Sequence, residues 1–217
     1  MAGIELIWHS WPQLWAGLSQ TLLISLATML VSTLGGLLYA LICLQGGWLG
    51  RAVMRGYLEL VRAVPLLVWL FLFFFGLPIA FGLDLPSTLC AIVVFSVWGI
   101  TELGEVARGA LQSVPRGQHE AGSALGLSRL QLYRYVLIPQ ALRRMLPPSV
   151  NVYTRIIKTS SLSVLIGVTE VIKAGQQIIE RTHASFAIYG ALFVLYFLLC
   201  FPLSTVSRHL EWRWRER

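Results

Sequence analysis

The sequence predicts an all-α integral membrane protein of five transmembrane helices, with the N-terminus outside and the C-terminus in the cytoplasm. Three observations carry that expectation. Only 12% of the residues are charged, about half the share in an average soluble domain, and mean hydropathy is +0.70. Uncharged runs cover Leu6–Gly50, Ala63–Leu83, Leu85–Thr101 and His183–Ser207, each close to or above the roughly 20 residues that cross a bilayer as a helix. The cations are distributed one-sidedly between the runs. Lipid admits only helices or closed barrels, and these runs are continuously apolar, not alternating with period two, which argues against a barrel. A disordered tail, a coiled coil and a nucleic-acid-binding domain are excluded by the same composition. The net charge of +7 therefore points to a membrane surface and not to a polyphosphate.

The expected spans are 14–44, 58–81, 86–111, 146–168 and 186–206, forming one membrane domain over 1–217. The first is too long for a perpendicular helix, so it tilts, begins in the interface, or bends at Gly35-Gly36. Trp8, Trp11 and Trp15 stand at its start, where an interfacial aromatic belt belongs. It lacks the cationic n-region and short h-region of a cleavable signal peptide. Pro65 in the second span and Pro202 in the fifth are tolerable in membrane helices, where neighbours re-satisfy freed backbone groups. Phe71, Phe73, Phe74 and Phe75 read as lipid-facing bulk. Cys43, Cys90 and Cys200 lie in apolar runs and read as small buried hydrophobes, not a disulfide framework.

Orientation follows from the cations. Arg51, Arg55, Arg62, Arg108, Arg116, Arg129, Arg134, Arg143, Arg144, Arg208, Arg213, Arg215 and Arg217 follow spans one, three and five. The opposite side holds Lys173 and Arg181 alone. This is a strong positive-inside signal. It requires an odd number of spans, and so retains the fourth, which Arg155 and Lys158 interrupt and hydropathy alone would discard.

The longest polar insertion, 113–139, reads SVPRGQHEAGSALGLSRLQLYRYVLIP. Pro115 suits a first helical turn, Gly126 a left-handed helix end, and Ser128 with Gln131 has capping-box spacing. The insertion is expected to form helix, glycine turn, helix. On composition alone it also reads as an interfacial pair of amphipathic helices with arginines on lipid phosphates.

Glu120-Ala121, Gly126 and Pro139 in this loop resemble the EAA loop of bacterial ABC importer permeases, in which E-A-A is followed by a spaced glycine and an I-x-L-P end. Val136 and Ile138 take the Ile and Leu places, and Gly122 replaces the second Ala, a departure expected to loosen the first short helix. The run from Pro139, Gln140, Ala141 and Arg143 through Pro147, Pro148 and Asn151 to Lys158, Ser160, Ser161 and Leu162 resembles the polar amino acid branch of that family, with Ser160 where the branch usually has Thr. Tyr57–Val68 and Gly104–Gln118 are similar to it as well, so the likeness covers about 14–210. The resemblance implies a permease subunit of an ATP-driven amino acid importer in the bacterial inner membrane. It implies a second permease subunit, identical or homologous, a pair of ATPases on the cytoplasmic face and a solute-binding protein outside. It implies that Glu120, Ala121, Gly122, Gly126 and Pro139 couple the chain to the ATPase. The chain itself carries no phosphate-binding G-x-x-x-x-G-K-[ST] loop, since Lys158-Thr159 lacks the glycines; ATP and magnesium are expected on the partner, and no cofactor or catalytic residue here.

Ionisable residues inside a bilayer are candidates for function, because each costs on the order of 2.5–3.5 kcal/mol at its centre. Asn151, Arg155 and Lys158 recur at i, i+4 and i+7 and share one helical face. With Ser161, they are candidates to line a solute path, the competing reading being structural pairing with acids on neighbouring helices. Glu102 is the acid best placed for a solute ammonium or for Arg155, and Trp98 lies on its face at i−4. Glu59, Arg62, Glu105 and Arg108 are expected to form interhelical ion pairs or to snorkel.

Two other functions compete. A small ion-coupled secondary transporter or channel would need intramembrane acids, and Glu102 is a thin basis for one. A membrane enzyme is disfavoured because His9, His119, His183 and His209 lie in loops or near ends, none with metal-ligand spacing.

Overall fold

The computed structural model describes residues 3–215, and every element in them is helical. Arg217 of the cation count lies outside the described residues. The helices are α1 (Gly3–His9), α2 (Trp11–Gln45), α3 (Trp48–Ala63), α4 (Leu66–Phe81), α5 (Ser87–Gln112), α6 (Arg116–Ala124), α7 (Arg129–Ile166), α8 (Val171–Thr182) and α9 (Ser185–Arg215). Three of them, α2, α5 and α9, are each long and apolar enough to cross a membrane. Two bent pairs, α3 with α4 and α7 with α8, raise the number to five if each pair is one span.

α2 runs unbroken for 35 residues, about 52 Å at 1.5 Å per residue, well beyond the hydrocarbon thickness. Gly35-Gly36 does not interrupt it. A Cβ on Gly36 would stand 2.9 Å from the Gly104 backbone nitrogen of α5, so this glycine serves close approach between helices. The same side of α2 buries Thr21, Ser25, Thr28 and Ser32, small side chains that let two membrane helices pack backbone to backbone. Its opposite side exposes Leu23, Leu26, Leu30, Leu34, Leu37 and Leu41. Its two faces are told apart by residue size and by the hydroxyls on the buried side. α1 forms a separate turn before it, and Trp8, Trp11 and Trp15 are exposed at this end.

The second span departs most from expectation. Pro65 breaks it: α3 and α4 meet at 97°, with Val64 extended, as the residue before a proline favours. No neighbour repairs the break into a continuous 58–81 helix. Pro78 and Pro139 are absorbed differently. Each is preceded by a single widened turn, Leu72–Gly76 and Tyr133–Leu137, which accommodates the missing N–H donor without ending the helix.

The fourth span begins earlier than 146. A regular helix covers Ile138–Thr159 despite Pro147 and Pro148, and tightens over Ser160–Ile166. The Pro147 carbonyl accepts a hydrogen bond from Ser207 of α9 at 3.0 Å. Gly167 then turns the chain at φ 85°, and α8 leaves at 53° to α7. The stretch carrying Lys173 and Arg181 is thus a 12-residue helix, not a plain loop. It packs through Val171 and Ile178 on Leu14 and Leu18 of α2 and on Ile188 and Leu192 of α9. A second cluster joins Ile24, Leu70, Val94, Phe95 and Ile166. Phe73 and Phe74 pack partly buried against it, whereas Phe75 is 53% exposed, so only part of the phenylalanine run is free surface.

Candidate functional site

α7 presents a polar face that stays exposed within the described chain. Asn151, Arg155 and Lys158 are all exposed, while Val152, Ile156 and Ile157 behind them are buried. A helix hydrophobic on one side and polar on the other follows from the sequence spacing. The buried side packs on Leu103 of α5, and Tyr153 exchanges a 2.8 Å hydrogen bond with Thr33 of α2. These contacts fix the rotation of α7 and hence the direction of its polar face.

Three sequence candidates meet there. The Arg155 guanidinium forms an ion pair with Glu102 of α5. Its carbon also lies 5.6 Å from the Trp98 ring centroid, within range of a cation–π contact. The Arg155 side chain remains 53% exposed and Glu102 17%. Lys158 has no ion-pair or side-chain hydrogen-bond partner among the described residues. Ser161 donates to the Lys158 carbonyl at 2.7 Å, so its hydroxyl closes the tightened turn above the stripe. Together these groups offer a cation, an anion, an amide and an aromatic face on one surface.

The remaining charged candidates arrange themselves otherwise. Glu105 and Arg108 pair at 2.6 Å within α5, at i and i+3, and Tyr39 of α2 donates to Glu105 at 3.0 Å. The ion pair is therefore intrahelical, and only the tyrosine bond crosses helices. One helical turn brings i and i+3 closer than any neighbouring helix does. Glu59 and Arg62 form no ion pair among the described residues; they sit on α3, which turns away at Pro65.

The polar insertion is a compact unit. α6 ends in a glycine turn with Gly126 at φ 72°. The Ser128 side chain accepts from the Gln131 N–H at 3.3 Å, and the Gln131 side chain accepts from the Ser128 N–H at 2.9 Å. Val114, Leu132, Leu137 and Ala141 form its core. Arg144 donates to the Ser113 carbonyl, and Gln140 to Gln118 at 3.1 Å, which ties the unit to the ends of α5 and α7. Glu120 and Ala121 are exposed on α6, and Leu125 is 80% exposed at its end. Gly122 is buried, with Leu132 Cδ1 lying where a Cβ would go. The glycine makes room for that leucine, contrary to the expected loosening. Pro139 lies in the first turn after the widened segment.

Glu170 was not singled out from sequence. It is fully buried at the start of α8 and accepts from the Ile172 and Lys173 N–H groups at 3.0 and 2.9 Å. Thr21 of α2 and Tyr196 of α9 also donate to it, each at 3.4 Å. The available signal was an acid immediately before a 12-residue amphipathic run, the composition of a helix start.

Residues 32–216 match the family of binding-protein-dependent transport system inner membrane components. The chain belongs to this family. It is thus an inner membrane permease, multi-pass, and not itself a catalyst. It is 38% identical over 208 residues to the glutamine transport system permease protein GlnP of Escherichia coli K12, covering 95% of each chain. It is 34% identical to the probable amino-acid ABC transporter permease protein YckA of Bacillus subtilis 168, covering 94% of this chain and 89% of that one. Its fold is similar to the crystal structure of an amino acid ABC transporter with histidines, at TM-score 0.89 and 27% identity, over 98% of this chain and 99% of that one. The MetNI methionine ABC transporter shares the fold more distantly, at TM-score 0.67 and 19% identity over 95% and 98%.

Proposed function

We propose that this permease is the membrane-spanning subunit of an ATP-driven importer for an amino acid or a closely related solute. It acts with a second permease subunit, an ATPase pair at the cytoplasmic face and a solute-binding protein outside. The similarity to permeases named for amino acids supports the solute class. The chain crosses the membrane five times, each bent pair counting as one span, with the N-terminus outside, as the arginine distribution favours.

The observation that carries the reading is the uncovered polar face of α7. A lone subunit in lipid would expose Asn151, Arg155 and Lys158 to hydrocarbon, at a cost of about 2.5–3.5 kcal/mol for each central charge. Water, a solute or a partner subunit removes that cost. A zwitterionic amino acid matches the surface: its carboxylate suits Lys158, and its ammonium suits Glu102 once Arg155 yields. Glu120, Ala121, Gly122 and Gly126 form the coupling helix and turn that meet the ATPase, and Pro139 anchors their return to α7. ATP and magnesium belong to the partner.

The test is uptake into proteoliposomes containing the permease, its ATPase and its binding protein. Uptake stops when the ATPase's catalytic glutamate is replaced by glutamine. Continued uptake driven by an ion gradient would replace this reading with a secondary transporter.

A further inference from the structure

A second polar cavity, outside the α7 face, lies where the ends of α2, α3 and α5 converge. Tyr39, Cys43, Arg51, Arg55, Leu58, Glu105, Arg108 and Gln112 line about 360 Å³. Three guanidiniums face one carboxylate. Arg108 is committed to that carboxylate and to Gln112. Arg51 and Arg55 have no ion-pair or side-chain hydrogen-bond partner among the described residues. The cavity therefore holds two uncompensated positive charges on adjacent turns of α3.

α3 is built for a lipid boundary. Arg51, Arg55 and Arg62 recur at i, i+4 and i+11, and Leu49, Val53 and Leu60 repeat that spacing two residues earlier. Two residues correspond to about 200° around a helix, so the two sets lie on opposite faces. The three apolar residues are each more than half exposed, and Trp48 at the helix start is 77% exposed. A helix with arginines on one side, bare apolar residues on the other and a tryptophan at its end matches a segment at the headgroup level.

We propose that this cavity binds the phosphate of an anionic phospholipid headgroup between Arg51 and Arg55. A guanidinium pair suits a phosphodiester by charge and by its forked donors. Basic cavities between membrane helices are the places where anionic headgroups bind. A zwitterionic lipid offers the same phosphate but adds a quaternary ammonium, which the two free charges repel. The proposal does not depend on what the permease transports.

The test is native mass spectrometry of the full-length permease in detergent, titrated with phosphatidylglycerol or with phosphatidylcholine of the same acyl chains. One phosphatidylglycerol is retained about tenfold more tightly than phosphatidylcholine, equivalent to about 1.4 kcal/mol. Arg51→Gln with Arg55→Gln abolishes the preference. Arg51→Lys with Arg55→Lys keeps most of it, and Arg208→Gln with Arg213→Gln, which removes equal charge from the exposed end of α9, leaves it intact. Cys43 reports on the same cavity, because Cys90 and Cys200 are buried and Cys43 is partly exposed. Its maleimide labelling in wild-type protein slows in phosphatidylglycerol nanodiscs relative to phosphatidylcholine ones. Equal retention of the two lipids overturns the proposal. So does protection of Cys43 by inorganic phosphate alone, which assigns the cavity to a soluble anion, or by the ATPase alone, which assigns it to a protein contact.

Discussion

Lys158 and Glu170 are both charged residues in an apolar chain, and their surroundings give them opposite tasks. Lys158 stands on the uncovered face of α7 with no partner among the described residues. Structure has little use for it there, so Lys158→Met is expected to leave insertion and folding intact. It should lower uptake at least about tenfold, a loss of roughly 1.4 kcal/mol of transition-state stabilisation. Uptake at wild-type rate, with equal protein in the membrane, would assign Lys158 to packing. Glu170 is fully buried and satisfies two N–H groups at the start of α8 while meeting Thr21 and Tyr196. Leaving buried donors unpaired costs about 1–3 kcal/mol. Melting in detergent should therefore fall in the order wild type, Glu170→Gln, Glu170→Leu, because glutamine keeps an acceptor oxygen. A Glu170→Leu protein that melts with the wild type would remove this capping role. The ion pair of Arg155 with Glu102 is intermediate. Being half exposed, it adds little to stability, about 0–1 kcal/mol, and its interest is the surface it forms with Trp98.

Among the elements, α6 and its glycine turn are the most self-contained. Left-handed Gly126, the capping box that starts α7 and Gly122 buried under Leu132 hold a compact knob on which Glu120, Ala121 and Leu125 are exposed. Glu120→Arg is expected to abolish co-purification of the ATPase while the permease still inserts; normal co-purification would end the coupling assignment. This element was legible in sequence because caps and turns are local chemistry: Ser128, Gln131 and Gly126 announce themselves by spacing. The same holds for the polar face of α7, whose i, i+4, i+7 pattern survives any tertiary arrangement. The break at Pro65 was not legible, since an identical residue can be absorbed by a widened turn, as Pro78 and Pro139 are. The outcome depends on which neighbours can take up the freed carbonyls. The pairing of Glu105 is settled inside α5, because one helical turn brings Arg108 closer than any neighbouring helix does. Glu170 was missed because burial of a carboxylate depends on α2 and α9 converging on it, 149 and 26 residues away in the chain.

At the scale of the whole molecule, two bare surfaces of the membrane-crossing helices stand in contrast. One is apolar, as along α2 and the Phe193–Phe197–Phe201 row of α9, and suits lipid or another subunit. The other is the charged face of α7, which suits neither hydrocarbon nor an apolar neighbour. The importer proposed above would resolve the contrast by placing the second surface on a water-filled path between two permease subunits. Cysteine accessibility tests that claim most directly. In a Cys43→Ser background, Asn151→Cys, Arg155→Cys and Lys158→Cys are reconstituted separately and treated with a charged thiol reagent that does not enter lipid. All three positions are expected to react in the presence of ATP, and Asn151→Cys, which keeps both cations, to be shielded by saturating solute and to lose uptake on labelling, whereas Val152→Cys and Ile156→Cys on the buried side stay unlabelled. A stripe that no charged reagent reaches from either side would contradict the account, because these residues would then face protein or lipid and line no path.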